Sequence, residues 1–578
     1  MYKIETRIEI YIRVLAVIFF FLITGLFYTQ IIKYNFYKRL SEGNHLRIMP
    51  LRSARGTIYD KNCKIIVKDI LSFNVSIVYK RVTNFKALTV VLSNVFNLPQ
   101  TKIEETLNKC KKSPYFPVTI IKGADIKKVI QFEEVLSNYP GIEIEVTPLR
   151  EYPSDNTASG IIGFLGLINR EEFTKLKHYG YIIDDFMGRA GIEKYYDNYL
   201  RGSHGGKETE IDNRGRETRI LGYQEPVSGK DIYLTIDADL QKFCDNLMNG
   251  SNGSIIVMEP STGAILAMSS APDFFPGVFT DDTKKSSVLG LLKDKESPLL
   301  NRAISGAYPP GSIFKLVVAS MALEKKRITP NTTVVCGGTF QVGKHTFHCW
   351  NKDGHGPQNI SDAIKNSCNI FFYRIGFSSD VDEIADYAKK FGFGNITNID
   401  LPSESKGVLP TRKWKLARWK DNWYKGETVN YAIGQGYLMV TPIQVARMMS
   451  GFANRGYMVK PYIVSKIGNT SVKKEMKTEI GVSKNTLDIV INGMKRCINE
   501  EGGTGAIAKQ KNFIVAGKTG TAQNSKKRNH GWFAGFMPVD KPKILVVVFD
   551  EYGARGGHYA AGVAGEIFKE AIRLEIVK

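Results

Sequence analysis

The chain has 578 residues, too many for one hydrophobic core, so two or more domains are expected. A hydrophobic share of 43% beside 24% charged residues excludes a disordered or fibrous chain. The formal net charge of +22 calls for an anionic partner or a strongly solvated basic surface. No zinc-finger spacing, basic zipper or aromatic RNA signature accompanies it, which sets nucleic acid below an anionic membrane or anionic wall polymers.

The first element in the chain is Val14 to Ile32, an apolar run without a charge, bracketed by Arg13 and Lys33. At 1.5 Å per residue it crosses a hydrocarbon core of roughly 30 Å. Its length, and the lack of a small-residue cleavage site, predict an uncleaved anchor and not a signal peptide. The expected arrangement is a cytoplasmic tail (1–13), a single membrane span (14–32) and everything else outside the cell membrane. Tyr34 to Pro50 reads as a polar stalk. From Ile65 to Val146 strand alternation and helical spacing mix, and no catalytic constellation is visible. Met187 to Gly205 reads as an amphipathic helix between glycines. A domain boundary is expected near residue 230, dividing a pedestal (33–230) from a C-terminal domain (231–578).

In the second domain, Ser254–Met258 and Ala264–Ser269 read as a hairpin around a Pro-Ser-Thr-Gly turn. A buried helix is expected to start at Ser312, another to run from Ser361 to Ile375, and a third to start at Thr441-Pro442. Phe513 to Ala516 reads as a strand ending in Gly517-Lys518-Thr519-Gly520-Thr521-Ala522, which puts the Lys-Thr-Gly run on the strand. A polar tip (524–529), two further strands from Trp532 and Ile544, and a helix from Ala560 close the chain. Seven cysteines, an odd number, are no dense disulfide framework.

Three short motifs follow one another: Ser312-x-x-Lys315, Ser367-x-Asn369 and Lys518-Thr519-Gly520. Alone, Ser312 is a helix cap and Lys315 a surface lysine. Together the three form the set that serine acyl-transferring enzymes use. Residues three apart share a helix face, so Lys315 can serve Ser312 as base. Lys315 must then be neutral, which a second cation, Lys518, would promote by like-charge repulsion. Ser367 can relay a proton, and Asn369 can orient Lys315 and hold a substrate backbone. Thr519, Thr521 and Lys518 can hold a terminal carboxylate. Gly520 lets an acyl chain lie along the strand, and the backbone N–H groups of Ser312 and Thr521 would hold the oxyanion.

On these motifs the chain resembles the class B penicillin-binding proteins, membrane-anchored peptidoglycan D,D-transpeptidases, over nearly its whole length. Arg55-Gly56-Thr57-Ile58-Tyr59-Asp60 resembles their pedestal signature, although Cys63 stands where a glycine is usual. Gly188 to Tyr196 with Leu200-Arg201-Gly202 resembles a second pedestal motif. Asp212-Asn213-Arg214-Gly215-Arg216 is similar to the elongation-type members known as penicillin-binding protein 2. Asn301-Arg302-Ala303, Gly434-Gln435-Gly436 and His530-Gly531-Trp532-Phe533 match the transpeptidase domain.

The resemblance implies an α+β multi-domain architecture: a transmembrane helix, a pedestal, and an antiparallel sheet flanked by helices with a helical subdomain. It implies stem peptides ending in D-Ala-D-Ala as substrate and covalent inhibition by β-lactams at Ser312. No glycosyltransferase signature stands between residues 33 and 230, so a SEDS-family glycan polymerase and other wall-synthesis membrane proteins are the implied partners. The elongation-type motif favours a role in cell shape over division or spore-cortex synthesis. A serine β-lactamase has no use for a pedestal, and a β-lactam-sensing receptor needs several spans and a cytoplasmic effector. An inactive scaffold would not keep the full motif set.

Cys336, Cys349, His355 and Cys368 are ligand types that zinc takes, at spacings too wide for a zinc knuckle. The competing reading is buried free thiols, with His345 and His348 as rival ligands. Some class B relatives resemble this chain in carrying zinc beside the active site. The resemblance therefore implies a structural zinc bracing the second motif.

Overall fold

The computed structural model describes residues 2–38, 46–111, 114, 117–136, 139, 141–212, 217–281, 284–472, 477–523, 529–553 and 556–578. Residues 213–216 of the elongation-type motif, part of the stalk and most of the polar tip lie outside the described residues.

Two compact units emerge. The first comprises residues 1–54, 70–149 and 202–228. Its N-terminal helix covers Tyr2–Phe27 and continues as a π turn over Tyr28–Ile32. The stretch long and apolar enough to cross a membrane is Thr6–Ile32, longer than the uncharged run alone. The helix starts early because residues with good propensity precede that run, and Glu9 and Arg13 pair one turn apart at 3.8 Å. A three-stranded antiparallel sheet places Gly205–Ile211 between Leu46–Leu51 and Glu217–Gln224. A separate core gathers Val75, Ile77, Leu88, Leu92, Ile103, Leu107, Val129 and Phe132 from a strand pair and three helices.

The second unit comprises residues 55–69, 150–201 and 229–578. Here the two pedestal motifs meet. Arg55 pairs with Glu193 at 2.7 Å and with Asp197 at 2.8 Å. Arg150 pairs with Glu193 at 2.7 Å and with Asp69 at 2.9 Å. Such a buried network is expensive to desolvate and more expensive to break. Cys63 holds φ +62°, the left-handed conformation that explains why a glycine is usual at that turn. The expected amphipathic helix after Met187 is two short pieces, Gly191–Tyr195 and Asp197–Leu200, because Tyr196 leaves the helical region (φ −109°, ψ 21°).

The centre of this unit is a five-stranded antiparallel sheet. Its strands are β1 (Gly253–Met258), β2 (Ile265–Ala271), β3 (Ala516–Ala522), β4 (His530–Met537) and β5 (Ile544–Asp550). Their order is β2-β1-β5-β4-β3. Every residue of β1, β4 and β5 is buried, so these strands read as unbroken apolar runs without alternation. Side chains still alternate. Ile255, Val257, Phe533, Val546 and Val548 pack with Ala560, Ala564, Ile567 and Phe568 of the C-terminal helix Gly556–Arg573. Ile256, Trp532, Ala534, Val547 and Phe549 join the larger core shared with the helical region. Each such aliphatic side chain contributes about 1.5–3 kcal/mol on burial.

Three expectations need correction. The helix does not start at Ser312: Gly311–Ile313 is a 3-10 turn and the α-helix, α1, is Lys315–Glu324. Ser367 is not mid-helix; one helix ends at Lys365 (α2, Ile360–Lys365) and the next starts at Asn369 (α3, Asn369–Ser378). The strand expected from Phe513 starts only at Ala516, and β3 carries the third motif as expected, pairing Lys518 with Ala534 and Gly520 with Trp532. Tertiary pairing there overrides the poor strand propensity of glycine.

Candidate active site

The 3-10 turn sets Ser312 apart. From Gly311 to Leu323 every residue is buried except Ser312, which is partly open to solvent. The turn is clamped on both sides. Gly311 N donates to the Gly434 carbonyl at 3.0 Å. Gly434 has φ +72°, and a Cβ there would lie 2.1 Å from the Gly311 oxygen. On the other side is Gly520 of β3, where a Cβ would meet Trp532 Cβ at 3.0 Å and Ile313 Cγ1 and Pro310 O at 3.1 Å. Gly520 thus lets the strand dock against the Ser312 turn, a reason in addition to substrate access. Trp532 Nε1 donates to the Pro309 carbonyl at 3.0 Å and ties β4 to the same turn.

Lys315 is the first residue of α1 and is fully buried. Its Nζ donates to the Ser367 carbonyl at 2.8 Å, to Ser367 Oγ at 3.3 Å and to Asn369 Oδ1 at 2.7 Å. Lys315 of the first motif is therefore bonded directly to Ser367 and Asn369 of the second. Burial, with the Lys518 ammonium as the second cause, brings Lys315 down from the usual amine range to about 7. Desolvation in the buried helix and repulsion by Lys518 are both expected of a lysine here, and burial is the larger of the two. Burial also lowers Lys518. Ser367 holds φ +53°, a strained conformation for a non-glycine residue, in the break between α2 and α3.

The third motif lines the other wall. Lys518 Nζ donates to the Thr519 carbonyl at 2.9 Å, and Thr521 Oγ1 accepts from Gly557 N at 3.3 Å. Thr519 Oγ1 donates to Thr504 Oγ1 at 2.8 Å. Thr504 was not legible in the sequence, since a lone threonine in a Gly-Gly-Thr-Gly turn carries no signal.

The four sulfur and nitrogen ligands also converge. Ligand atoms of Cys336, Cys349, His355 and Cys368 all lie within 4.8 Å of one another. His355 Nδ1 lies 3.5 Å from Cys336 Sγ and 3.6 Å from Cys349 Sγ. The Cys368 thiol lies against Cys349 and holds that thiol below its usual range, while Cys368 itself is pushed up. Three soft sulfurs and one imidazole in this compass suit a tetrahedral zinc. His345 and His348 stand on an exposed strand, His345–His348, outside the group. The cluster adjoins the second motif directly: Asn369 N donates to Cys349 Sγ at 3.4 Å.

A partly exposed serine, a buried lysine of lowered basicity, and hydroxyl and ammonium groups on a strand edge can carry out nucleophilic acyl transfer. Comparison with known proteins agrees. The profile of the penicillin binding protein transpeptidase domain matches residues 253–573, and that of the penicillin-binding protein dimerisation domain matches residues 50–234. The chain is a class B penicillin-binding protein.

Among its relatives, the peptidoglycan D,D-transpeptidase MrdA of Haemophilus influenzae is 32% identical, over 94% of this chain and 88% of that one. A solved complex between the penicillin-binding protein PBP2 and MreC from Helicobacter pylori superposes with TM-score 0.82 at 28% identity, covering 92% of this chain and 99% of that one. A chain from a structure of a peptidoglycan synthase complex, described as coordinating polymerization and crosslinking, superposes with TM-score 0.76 at 28% identity, covering 99% of both. This penicillin-binding protein is a peptidoglycan D,D-transpeptidase with an N-terminal apolar helix, a pedestal and a C-terminal catalytic domain.

Proposed function

We propose that Ser312 is the nucleophile of this transpeptidase and Lys315 its base. The observation that carries the assignment is Lys315 itself, wholly buried and bonded three times to the second motif. Ser312 Oγ attacks the carbonyl between the two terminal D-Ala residues of a stem peptide, and its proton passes to Lys315. The backbone N–H groups of Ser312 and Thr521 hold the oxyanion. Collapse expels the terminal D-Ala, whose amine takes the proton from Lys315 through Ser367. An amine of a neighbouring stem then attacks the acyl-enzyme, gives its proton back along the same route, and restores Ser312. Asn369 holds Lys315 and the substrate backbone. Lys518, Thr519 and Thr521 hold the terminal carboxylate, and Gly520 keeps their strand against the Ser312 turn. β-Lactams acylate Ser312 by the same path.

The apolar N-terminal helix supports a single-pass anchor (14–32) behind a cytoplasmic tail (1–13), with the pedestal (33–230) and transpeptidase domain (231–578) outside the cell membrane. The likeness to a chain of a peptidoglycan synthase complex supports a SEDS-family polymerase as partner, and the likeness to MrdA supports a role in elongation. The converged Cys336, Cys349, His355 and Cys368 would hold a structural zinc that braces the second motif and has no position open for water.

Labelled penicillin tests the reading. The wild type forms a long-lived adduct, and Ser312→Ala forms none while melting at the same temperature. Rapid release of the label would mark a hydrolase instead. A fluorescent fusion along the lateral wall supports elongation, and a septal or forespore pattern overturns that part.

A further inference from the structure

The helix Arg412–Trp419 (α4) and the loop after it build an aromatic surface that the acyl-transfer mechanism does not use. Tyr437 lies at its centre, with its ring 5.4 Å from Trp414, 6.1 Å from Trp423 and 6.3 Å from Trp419. Three of the chain's five tryptophans thus surround one tyrosine. Aromatic clusters of this size are ordinarily core, yet this one is open to water along one side: Trp414, Trp423 and Tyr437 are half-buried, Trp419 is 57% exposed, and its neighbours Tyr424 and Leu416 are 57% and 54% exposed.

The surface is held rigid from below. Lys415 is buried beneath it, 2.8 Å from Asp421 and 2.7 Å from Glu427, and donates to the Asn422 carbonyl at 2.6 Å. Trp423 Nε1 donates to Thr428 Oγ1 at 2.8 Å. Aromatic faces fixed in advance lose little freedom when a ligand stacks on them.

Its place is informative. Tyr437 follows Gly434, whose carbonyl clamps Gly311 beside Ser312. Three residues span at most about 11 Å, so the aromatic surface borders the turn that carries the nucleophile. Lys413, Arg418 and Lys420 are exposed on the same helix and at its end.

We propose that this surface binds the sugar rings of the glycan strand whose stem peptides the enzyme cross-links. Pyranose rings present faces of C–H bonds that pack flat on aromatic rings while their hydroxyls stay in water. The stem peptides carry carboxylates that complement the three cations. A basic, tryptophan-bearing helix also suits a lipid surface, but continuity with the nucleophile turn favours the substrate. The inference rests on the transpeptidase reading, which brings a glycan strand with its stem peptides to the Ser312 turn.

The test uses the full-length protein in detergent and glycan chains freed of stem peptides by an amidase. Trp419→Ala with Tyr424→Ala is expected to weaken glycan binding about ten-fold, as loss of two stacked rings implies, and Trp419→Phe to retain most of it. Acylation by labelled penicillin, which has no sugar, stays at the wild-type rate and reports an intact catalytic domain. With polymeric peptidoglycan the double variant raises KM and leaves kcat. Arg418→Glu with Lys420→Glu lowers affinity for strands bearing stem peptides more than for bare glycan. Equal glycan binding by wild type and double variant, no binding by wild type, or a loss confined to anionic vesicles overturns the proposal. Failure of the wild type to acylate would instead defeat the transpeptidase assignment.

Discussion

Lys315 Nζ donates to Asn369 Oδ1 at 2.7 Å, and this bond ties the buried amine to the second motif. The Lys315 amine is wholly buried, so its charge is costly, and its pKa falls to about 7. A base must be unprotonated to accept the Ser312 proton. The rate of penicillin acylation should therefore rise with pH through about 7, roughly ten-fold per unit below that value, and level off above it. A rate that is flat from pH 5 to 9 would show that Lys315 is not the base. Asn369→Ala should slow acylation, because the amine loses one of the bonds that orient it.

Gly520 offers a steric test. An added methyl meets Trp532, Ile313 and Pro310 O at 3.0–3.1 Å, closer than ordinary contact. Gly520→Ala must push β3 away from the Ser312 turn, at a cost of about 1–3 kcal/mol. Acylation should fall sharply while melting drops only a few degrees. An unchanged acylation rate would mean that the strand and the turn move together without consequence.

The sulfur and imidazole cluster predicts bound metal. Purified protein should hold about one zinc per chain, and strong chelation should lower both its melting temperature and its acylation rate. Cys336→Ser should do the same, since it removes one ligand at a distance from Ser312 in sequence. A metal content near zero, or melting indifferent to chelator, contradicts the site.

Glu193 joins Arg55 and Arg150 in the buried network of the second unit. Burial pushes its carboxyl up, and the Arg150 and Arg55 guanidiniums beside it more than offset that, so it lies below the ordinary carboxylate range. A carboxyl depressed on folding adds stability above its unfolded value, near 4.5, and loses it as pH falls further. Glu193→Gln leaves two buried guanidiniums short of charge and should cost about 3–5 kcal/mol. Denaturant melts at neutral pH measure the loss, and the variant should lack the wild type's decline below pH 4.5. Variant and wild type melting alike would place the network's worth elsewhere.

What the sequence disclosed depends on the kind of information each feature carries. The three motifs, the apolar N-terminal helix and the strands β1 and β5 are local patterns, and they were legible. The Cys/His group was legible by residue type, but only folding could bring Cys336 within reach of Cys368 and leave His345 and His348 outside. The break at Ser367 was missed because apolar spacing continues across it, while the left-handed residue that interrupts the helix is fixed by contacts with Lys315. β3 was legible with its motif, but the sequence puts its start at Phe513, because the apolar residues 513–515 look like strand while pairing with β4 begins only at Ala516. Arg55 and Glu193 could be read as motif members, but their meeting, and the arrival of Arg150 beside them, joins segments that are distant in the chain.

Thr504 is the residue that only the fold reveals. It accepts from Thr519 Oγ1 at 2.8 Å, and its own hydroxyl lies 3.4 Å from the carbonyl of Lys365, the last residue of α2. It thus links β3, with the third motif, to the helix that leads into the second motif. Thr504→Val keeps the volume and removes the hydroxyl, leaving Thr519 free to turn. The loss of one such bond, about 0.5–1.5 kcal/mol, corresponds to a two- to ten-fold fall in acylation. Thr504→Ser should restore most of the rate, and melting should change little in either variant. If the valine variant acylates at the wild-type rate, Thr519 is held by its strand alone.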